Sequence, residues 1–358
     1  IRHHYAKPDK GERYQPFEIV PEVSLHMAEE VVLFATNEPK QITVSIKSGA
    51  NNVAGTVGLK PIPNWSITPK TFPFKIENKN ETRKVSFTVT PPNGTDEVQL
   101  EPFAVVKDST YTLDRIEIAY DHIPTQNVLL PASSKAVRLN INKTGNTIGY
   151  IQGAGDKIPE SLMQIGYTVE PIEVVTITTK SLLKYDAIVL GIRAYNSVES
   201  LPFKQQDLLN YVKEGGNLII QYNTTGRNGL NIPNLAPYPI SVSRDRVTDE
   251  NSVVRFINPE HPALNTPNKI LQSDFEGWVQ ERGLYFPNRW STEFTPILGM
   301  NDIGENELQG SLLIAPYGKG NYVYTGLSFF RELPAGVSGA YKLFANLLSL
   351  PKNQNNGK

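Results

Sequence analysis

A chain of 358 residues, 39% hydrophobic and 20% charged, has the composition of an ordinary globular protein and the length of two domains. Its 35 basic and 36 acidic residues leave a net charge of −1, which excludes a global field drawing it to nucleic acid or anionic lipid. There is no cysteine, so disulfides, thiolate metal sites and a sulfur nucleophile are excluded, and no apolar run approaches the roughly 20 residues that span a bilayer.

The first residues, "IRHHYAKPDK", are polar and do not form a signal peptide; residues 1–15 read as an N-terminal arm. From Pro16 to Pro124 the sequence reads as short strands between turns. "KQITVSIKS" alternates Ile42, Val44 and Ile46 inward with Thr43, Ser45 and Lys47 outward, the period of a half-buried strand. The alternation returns at Val57 and Leu59, at Phe72 and Phe74, at Val85, Phe87 and Val89, and at Ile116, Ile118 and Tyr120. Many prolines and no helical period predict an antiparallel, Ig-like β-sandwich over 1–130.

A linker is expected over Thr125–Lys135, and the rhythm then changes. "NTIGYIQGAG" is a strand ending in glycines, and "DKIPESLMQIGY" a short helix with Pro159 in its first turn and Gly166 as its stop. "YDAIVLGIRAYN" and "GGNLIIQYN" hold continuous apolar runs, as strands buried on both faces do. "QQDLLNYVKEGG" is a helix stopped by Gly215 and Gly216. Two strands flank the turn Tyr317–Gly320, and an amphipathic helix bears Tyr341, Phe344, Leu347 and Leu348. Alternating strands and helices predict a doubly wound parallel sheet over 131–358.

Open parallel sheets bind ligands beyond the carboxyl ends of their strands. That rule selects Gln152, Gly153 and Gly155 after the first strand, Arg193, Tyr195 and Asn196 after the third, and Gln221, Tyr222, Asn223 and Arg227 after the fourth. "GAG" lacks the lysine and third glycine of a phosphate loop, so tight turning is its expected role. Arg193 suits a ligand anion or a neighbouring carboxylate; Tyr195 and Asn196 suit a pocket or a cap. The stretch "SDFEGWVQERGLYF" combines Asp274, Glu276, Glu281 and Arg282 with the flat face of Trp278, a set suited to sugar hydroxyls and ring C–H faces. The alternative is that Trp278 plugs the domain while Arg282 pairs with Glu281 or Asp274. His261 lies shortly before this stretch and is a candidate pocket residue. The five histidines show no ligand spacing, so no metal site is expected, and no G-x-S-x-G elbow occurs.

"LLKYDAIVLGIRAYN", "HPALNTPNKI", "DFEGWVQERGLYF" and "YGKGNYVYTGLSFFRELPAGVSGAYKLFANLLSL" resemble the C-terminal region of large Bacteroidetes PIG-L (LmbE-like) deacetylases. That region is similar to a flavodoxin-like, class I glutamine amidotransferase-like domain of the ThuA-like branch. "GERYQPFEIVPEVSL" and "GTVGLKPIPNWSITP" resemble the β-sandwich preceding it. The resemblance implies a parent that removes N-acetyl groups from N-acetylglucosamine-type sugars with zinc held by an A-H-P-D-D segment. That segment does not occur here, so zinc is expected only in a deacetylase domain upstream. The amidotransferase elbow would fall at Gln221 or Tyr222, and neither replaces a thiolate at neutral pH.

The chain is therefore expected to be a non-catalytic accessory region. It would have a ligand pocket of Arg193, Tyr195, Asn196, Tyr222, Asn223, His261, Asp274, Trp278, Glu281 and Arg282, with no catalytic or metal residue and no cofactor. Its expected partners are the upstream deacetylase domain and an N-acetylated glycan, in the periplasm or outside the cell, with neither nucleic acid nor a membrane span. Two alternatives stand: a ThuA-like sugar-active enzyme using His261 with Asp274 or Glu281 as acid and base, and a purely structural interaction module.

Overall fold

The computed structural model describes residues 2–7, 11–16, 19–120, 122–225 and 235–353, and it divides into two compact units, Ile1–Leu139 and Asn140–Lys358. The division lies later than the expected 130/131 boundary because the anticipated linker is not a linker. Gln126–Pro131 pairs with Leu113–Ile118 as a hairpin, and Ser134–Arg138 enters a sheet of the first unit.

The first unit is built of β-sheets around one core. One four-stranded antiparallel sheet runs in the order Val23–Met27, Lys40–Ser48, Thr82–Thr90, Ser66–Thr68. A second runs Ser109–Tyr111, Pro102–Val106, Val53–Leu59, Thr71–Ile76. The alternation read from "KQITVSIKS" holds: Ile42, Val44 and Ile46 are buried and meet Val57, Phe74, Phe87 and Ala104. Trp65 closes one side of this core, its ring edge-on to Phe34 at 5.2 Å and its Nε1 donating to Asp96 at 2.8 Å. Two expectations are corrected. The unit is not wholly antiparallel, since Ser134–Arg138 runs parallel to Val31–Phe34. Ile116 and Tyr120 do not face the core; they are 43% and 64% exposed, because the hairpin that begins at Leu113 forms a separate two-stranded sheet. The arm residues Arg2–Lys7 pair antiparallel with Gly11–Pro16.

The second unit is an α/β structure. Its main strands are β1 (Thr147–Ile151), β2 (Thr168–Pro171), β3 (Ala187–Leu190), β4 (Asn217–Gln221), β5 (Ile240–Val247), β6 (Gly283–Trp290), β7 (Thr295–Pro296), β8 (Leu312–Tyr317) and β9 (Gly320–Thr325), and the short segments Arg255–Phe256 and Leu298–Gly299 pair with each other. Its helices are α1 (Ile158–Gln164), α2 (Thr179–Leu182), α3 (Ala194–Ser197), α4 (Gln205–Lys213), α5 (Pro262–Asn265), α6 (Phe329–Glu332) and α7 (Ser338–Leu348). The main sheet runs β2-β1-β3-β4-β9-β8-β7: five parallel strands, then two antiparallel ones at one edge. β3 and β4 are buried along their whole length, as their apolar runs require. α4 packs Leu208, Leu209 and Val212 on the face bearing Leu218, Ile220 and Tyr322, while α7 packs along β4. β5 and β6 form an antiparallel pair outside the main sheet. No described helix is long and apolar enough to cross a membrane.

Candidate functional site

The order of the parallel strands reverses at β1 and β3, the point where open sheets ordinarily leave a ligand crevice. Here the loops after β1 and β3 close on each other, and a cavity of about 240 Å³ lined by Gln152, Ile172, Val175 and Val198 remains beside them. A Cβ on Gly153 would stand 2.1 Å from the Ile192 carbonyl oxygen, so only glycine lets the two loops meet, and Ala154 N donates to that oxygen at 2.8 Å. Asp156 accepts from Tyr150 Oη at 2.5 Å, from Ile158 N and from Ile192 N. Burial and the neighbouring Asp156 push the Tyr150 phenol far above its ordinary pKa, fixing it as a donor. Gln221, 1% exposed, donates to the Leu190 carbonyl at 3.3 Å from beneath.

Three predicted pocket residues serve as scaffold in the next crevice along. Tyr195 buries its ring and donates its hydroxyl to Gln205. Asn223 is fully buried, accepting from Tyr195 N at 3.0 Å and donating to the Gln221 carbonyl at 3.0 Å. Asn196 clamps the Thr224 backbone from both sides, donating to its carbonyl at 3.1 Å and accepting from its N–H at 2.8 Å. These amides replace the ladder bonds that the ends of β3 and β4 lose.

Next to these amides lies an aromatic cluster around the buried ring of Tyr222. The Tyr222 ring lies 5.8 Å from that of Tyr285, the two planes within 8° of parallel, and 5.3 Å from the tilted ring of Phe330. Ile192 and Leu284 pack with them. Arg331 stands 4.8 Å over the Phe330 ring, held by Glu281 at 3.2 Å and by Gln280. Arg193 is exposed, has no ion pair or side-chain hydrogen bond among the described residues, and is anchored by its own N–H on the Tyr222 carbonyl at 2.8 Å. Burial raises the Tyr222 phenol pKa, while the positive charges of Arg193 and Arg331 oppose the rise. Arg193 (φ 56) and Tyr285 (φ 54) both occupy the left-handed region that side chains other than glycine and asparagine seldom enter.

The stretch "SDFEGWVQERGLYF" is mainly internal bracing. Asp274 accepts from Leu271 N and pairs with Lys342 at 2.7 Å. Trp278, 4% exposed, stacks on Phe275 and donates to the Asp274 carbonyl at 3.1 Å. Arg282 does not pair with Glu281 or Asp274; its guanidinium donates to the carbonyls of Ser252 (3.0 and 2.7 Å) and Phe275 (2.5 Å) beneath the Trp278 and Phe275 faces. Burial lowers its pKa to about 10, still leaving it charged at neutral pH. Beside it, fully buried Glu332 accepts from Val279 N at 2.9 Å through one oxygen while the other has no partner among the described residues, and burial pushes this carboxyl up to about 8.

His261 lies apart from the cluster. Its Nδ1 accepts from Ala263 N at 3.1 Å, capping α5, and burial lowers its pKa. Asn346 near the end of α7 donates to the Ala263 carbonyl, and the next turn of chain accepts from Asn217, the first residue of β4. His261 therefore sits level with the amino ends of the strands, opposite Tyr222. The structure thus assembles Arg193, Tyr222 and Glu281 and leaves Asp274, Trp278, Arg282 and His261 in other roles; Arg227 lies outside the described residues. Sequence reasoning missed Phe330 and Arg331, although "GLSFFRELP" sets adjacent aromatics before an arginine just beyond a buried strand, and it passed over Tyr285. Among the described residues no group of three or more histidine or acidic side chains is placed to hold a metal ion.

Comparison with family models and with curated proteins returned no match. Among solved structures, the chain is similar to a crystal structure of a protein of unknown function from Porphyromonas gingivalis W83, at 11% identity and a TM-score of 0.19. The match covers 37% of this chain and 60% of that one, and at that score it carries no argument.

Proposed function

We propose that this chain is a non-catalytic accessory region of a PIG-L-type N-acetylglucosaminyl deacetylase, exported from the cytoplasm, whose second unit binds an N-acetylated glycan on the Tyr222–Tyr285–Phe330 cluster. The β2-β1-β3-β4-β9 order of parallel strands supports the flavodoxin-like, amidotransferase-like reading of this unit, and the facing sheets of the first unit support the Ig-like one. A cysteine-free chain has no amidotransferase nucleophile, and the residues at the expected elbow are a buried amide and a stacked phenol, Gln221 and Tyr222.

One observation carries the recognition role: two left-handed, non-glycine residues, Arg193 and Tyr285, converge on one aromatic ring at the carboxyl ends of the strands. Such backbone costs on the order of 1–3 kcal/mol per residue and persists where the arrangement itself is used. The half-buried rings of Tyr285 and Phe330, beside an Arg193 guanidinium without an ion pair among the described residues, suit sugar C–H faces and an amide or hydroxyl oxygen. The acid–base alternative requires His261 beside Asp274 or Glu281, whereas each of the three is engaged elsewhere. Calorimetric titration with N-acetylglucosamine oligosaccharides tests the reading: saturable heat that disappears in Tyr285→Gly supports it, and no heat at millimolar ligand counts against it.

A further inference from the structure

The first unit holds a cleft of about 710 Å³, within the range of small-ligand sites. Its floor is the outer face of the sheet formed by Val23–Met27, Lys40–Ser48 and Thr82–Thr90. Strand alternation sends Leu25, Val44 and Ile46 into the core and leaves His26, Ser45, Lys47, Thr82 and Lys84 on this face. His26 pairs with Ser45, Ser45 with Lys84, and Lys47 with Thr82, so the two lysines are diagonal neighbours on adjacent strands. The wall is the Leu113–Ile118/Gln126–Pro131 hairpin. Asp114 ties it to the floor by a 2.7 Å contact with His26 Nδ1, and Ile116 and Leu130, 43% and 46% exposed, line the cleft beside it.

Three cations of this unit have partners: Lys107 with Glu22 at 3.3 Å, Lys135 with Glu97 at 2.9 Å, and Arg115 with Asn127 at 2.6 Å. Lys47 and Lys84 have no carboxylate and no acceptor among the described residues, although Lys47 is half-buried and the two charges repel. Asp114 is taken by His26, which leaves Glu30 as the other carboxylate lining the cleft. Two unneutralised ammonium groups with the hydroxyls of Ser45 and Thr82 between them form a receptor for one oxyanion. The adjoining Ile116 and Leu130 provide an exposed apolar surface beside it.

We propose that this cleft binds a carboxylate-bearing sugar, with Lys47 and Lys84 holding the carboxylate and Ile116 and Leu130 covering the C–H face of the ring. The site is independent of the aromatic cluster in the second unit. The test is calorimetric titration of the full chain with a glucuronic acid-containing oligosaccharide, a neutral oligosaccharide of equal length, and inorganic phosphate, at low and high salt. The acidic sugar binds, weakens as salt rises, and loses about tenfold in affinity in the double variant Lys47→Ala/Lys84→Ala. Ile116→Ser weakens it several-fold, and Tyr285→Gly leaves it unchanged. Equal binding of acidic and neutral sugars, absence of binding, or phosphate binding as tightly with Ile116→Ser silent would each overturn the proposal, the last by reducing the cleft to a bare anion patch.

Discussion

The rings of Tyr222 and Tyr285 lie within 8° of parallel at 5.8 Å, and Tyr285 reaches that position from a left-handed backbone. Glycine adopts this backbone without a Cβ penalty, whereas tyrosine pays about 1–2 kcal/mol. Tyr285→Gly therefore removes the ring and relieves the strain together. Its unfolding free energy should stay within about 1 kcal/mol of the parent in urea melts, because lost packing offsets the relief. Glycan affinity should fall about tenfold or more. A stable variant with full affinity would show that the stack has no part in recognition.

Arg193 makes the complementary case. Its side chain touches no acceptor among the described residues, and its φ of 56 is glycine-like. Arg193→Gly should raise stability by about 1 kcal/mol while weakening the ligand. A loss of stability in the denaturation midpoint would mean that the guanidinium braces the fold instead.

The alternation of "KQITVSIKS", the apolar runs of β3 and β4 and the glycine stops of α1 and α4 were legible because burial imposes a period and a breaker leaves a residue type. The hairpin from Leu113 was misread because its strands alternate like sandwich strands while pairing only with each other. At the site, composition identified polar and aromatic residues near strand ends but not their partners. Arg282 and Trp278 look like pocket residues until the carbonyls of Ser252, Phe275 and Asp274 come within reach through the fold. Of the "GAG" glycines, Gly155 turns with a φ of 101, as its type suggests, whereas the need for Gly153 comes from its close approach to the Ile192 carbonyl, which sequence does not show.

Arg282 satisfies two buried carbonyls, so Arg282→Leu leaves both without donors. The variant should lose about 3 kcal/mol or more in urea melts, with no change in glycan contact residues. A loss under about 1 kcal/mol would show that water or a neighbour replaces the guanidinium.

Glu332 gives a pH dependence. Its carboxyl is raised from 4.5 to about 8 by burial, so the folded state keeps a proton that the unfolded state releases between those values. Its contribution to stability is complete below about pH 4.5, declines as pH rises, and is lost above about 8. Glu332→Gln, which retains an acceptor for Val279 N, should flatten that decline in urea melts between pH 5 and 8.5. An unchanged slope would place the titration elsewhere.

His261 caps α5 through its Nδ1. His261→Ala should cost about 1 kcal/mol and His261→Asn much less, since asparagine also accepts at this position. Neither should alter ligand binding.

The central claim is that the second unit holds sugar on its aromatic cluster without transforming it. It is met most directly by incubating the full chain and its Tyr285→Gly variant with N-acetylglucosamine oligosaccharides, measuring bound heat and then the mass of the recovered sugar. The account predicts saturable binding by the parent, loss of binding in the variant, and recovered sugar of unchanged mass. Deacetylated or cleaved sugar, or equal binding by parent and variant, would contradict it.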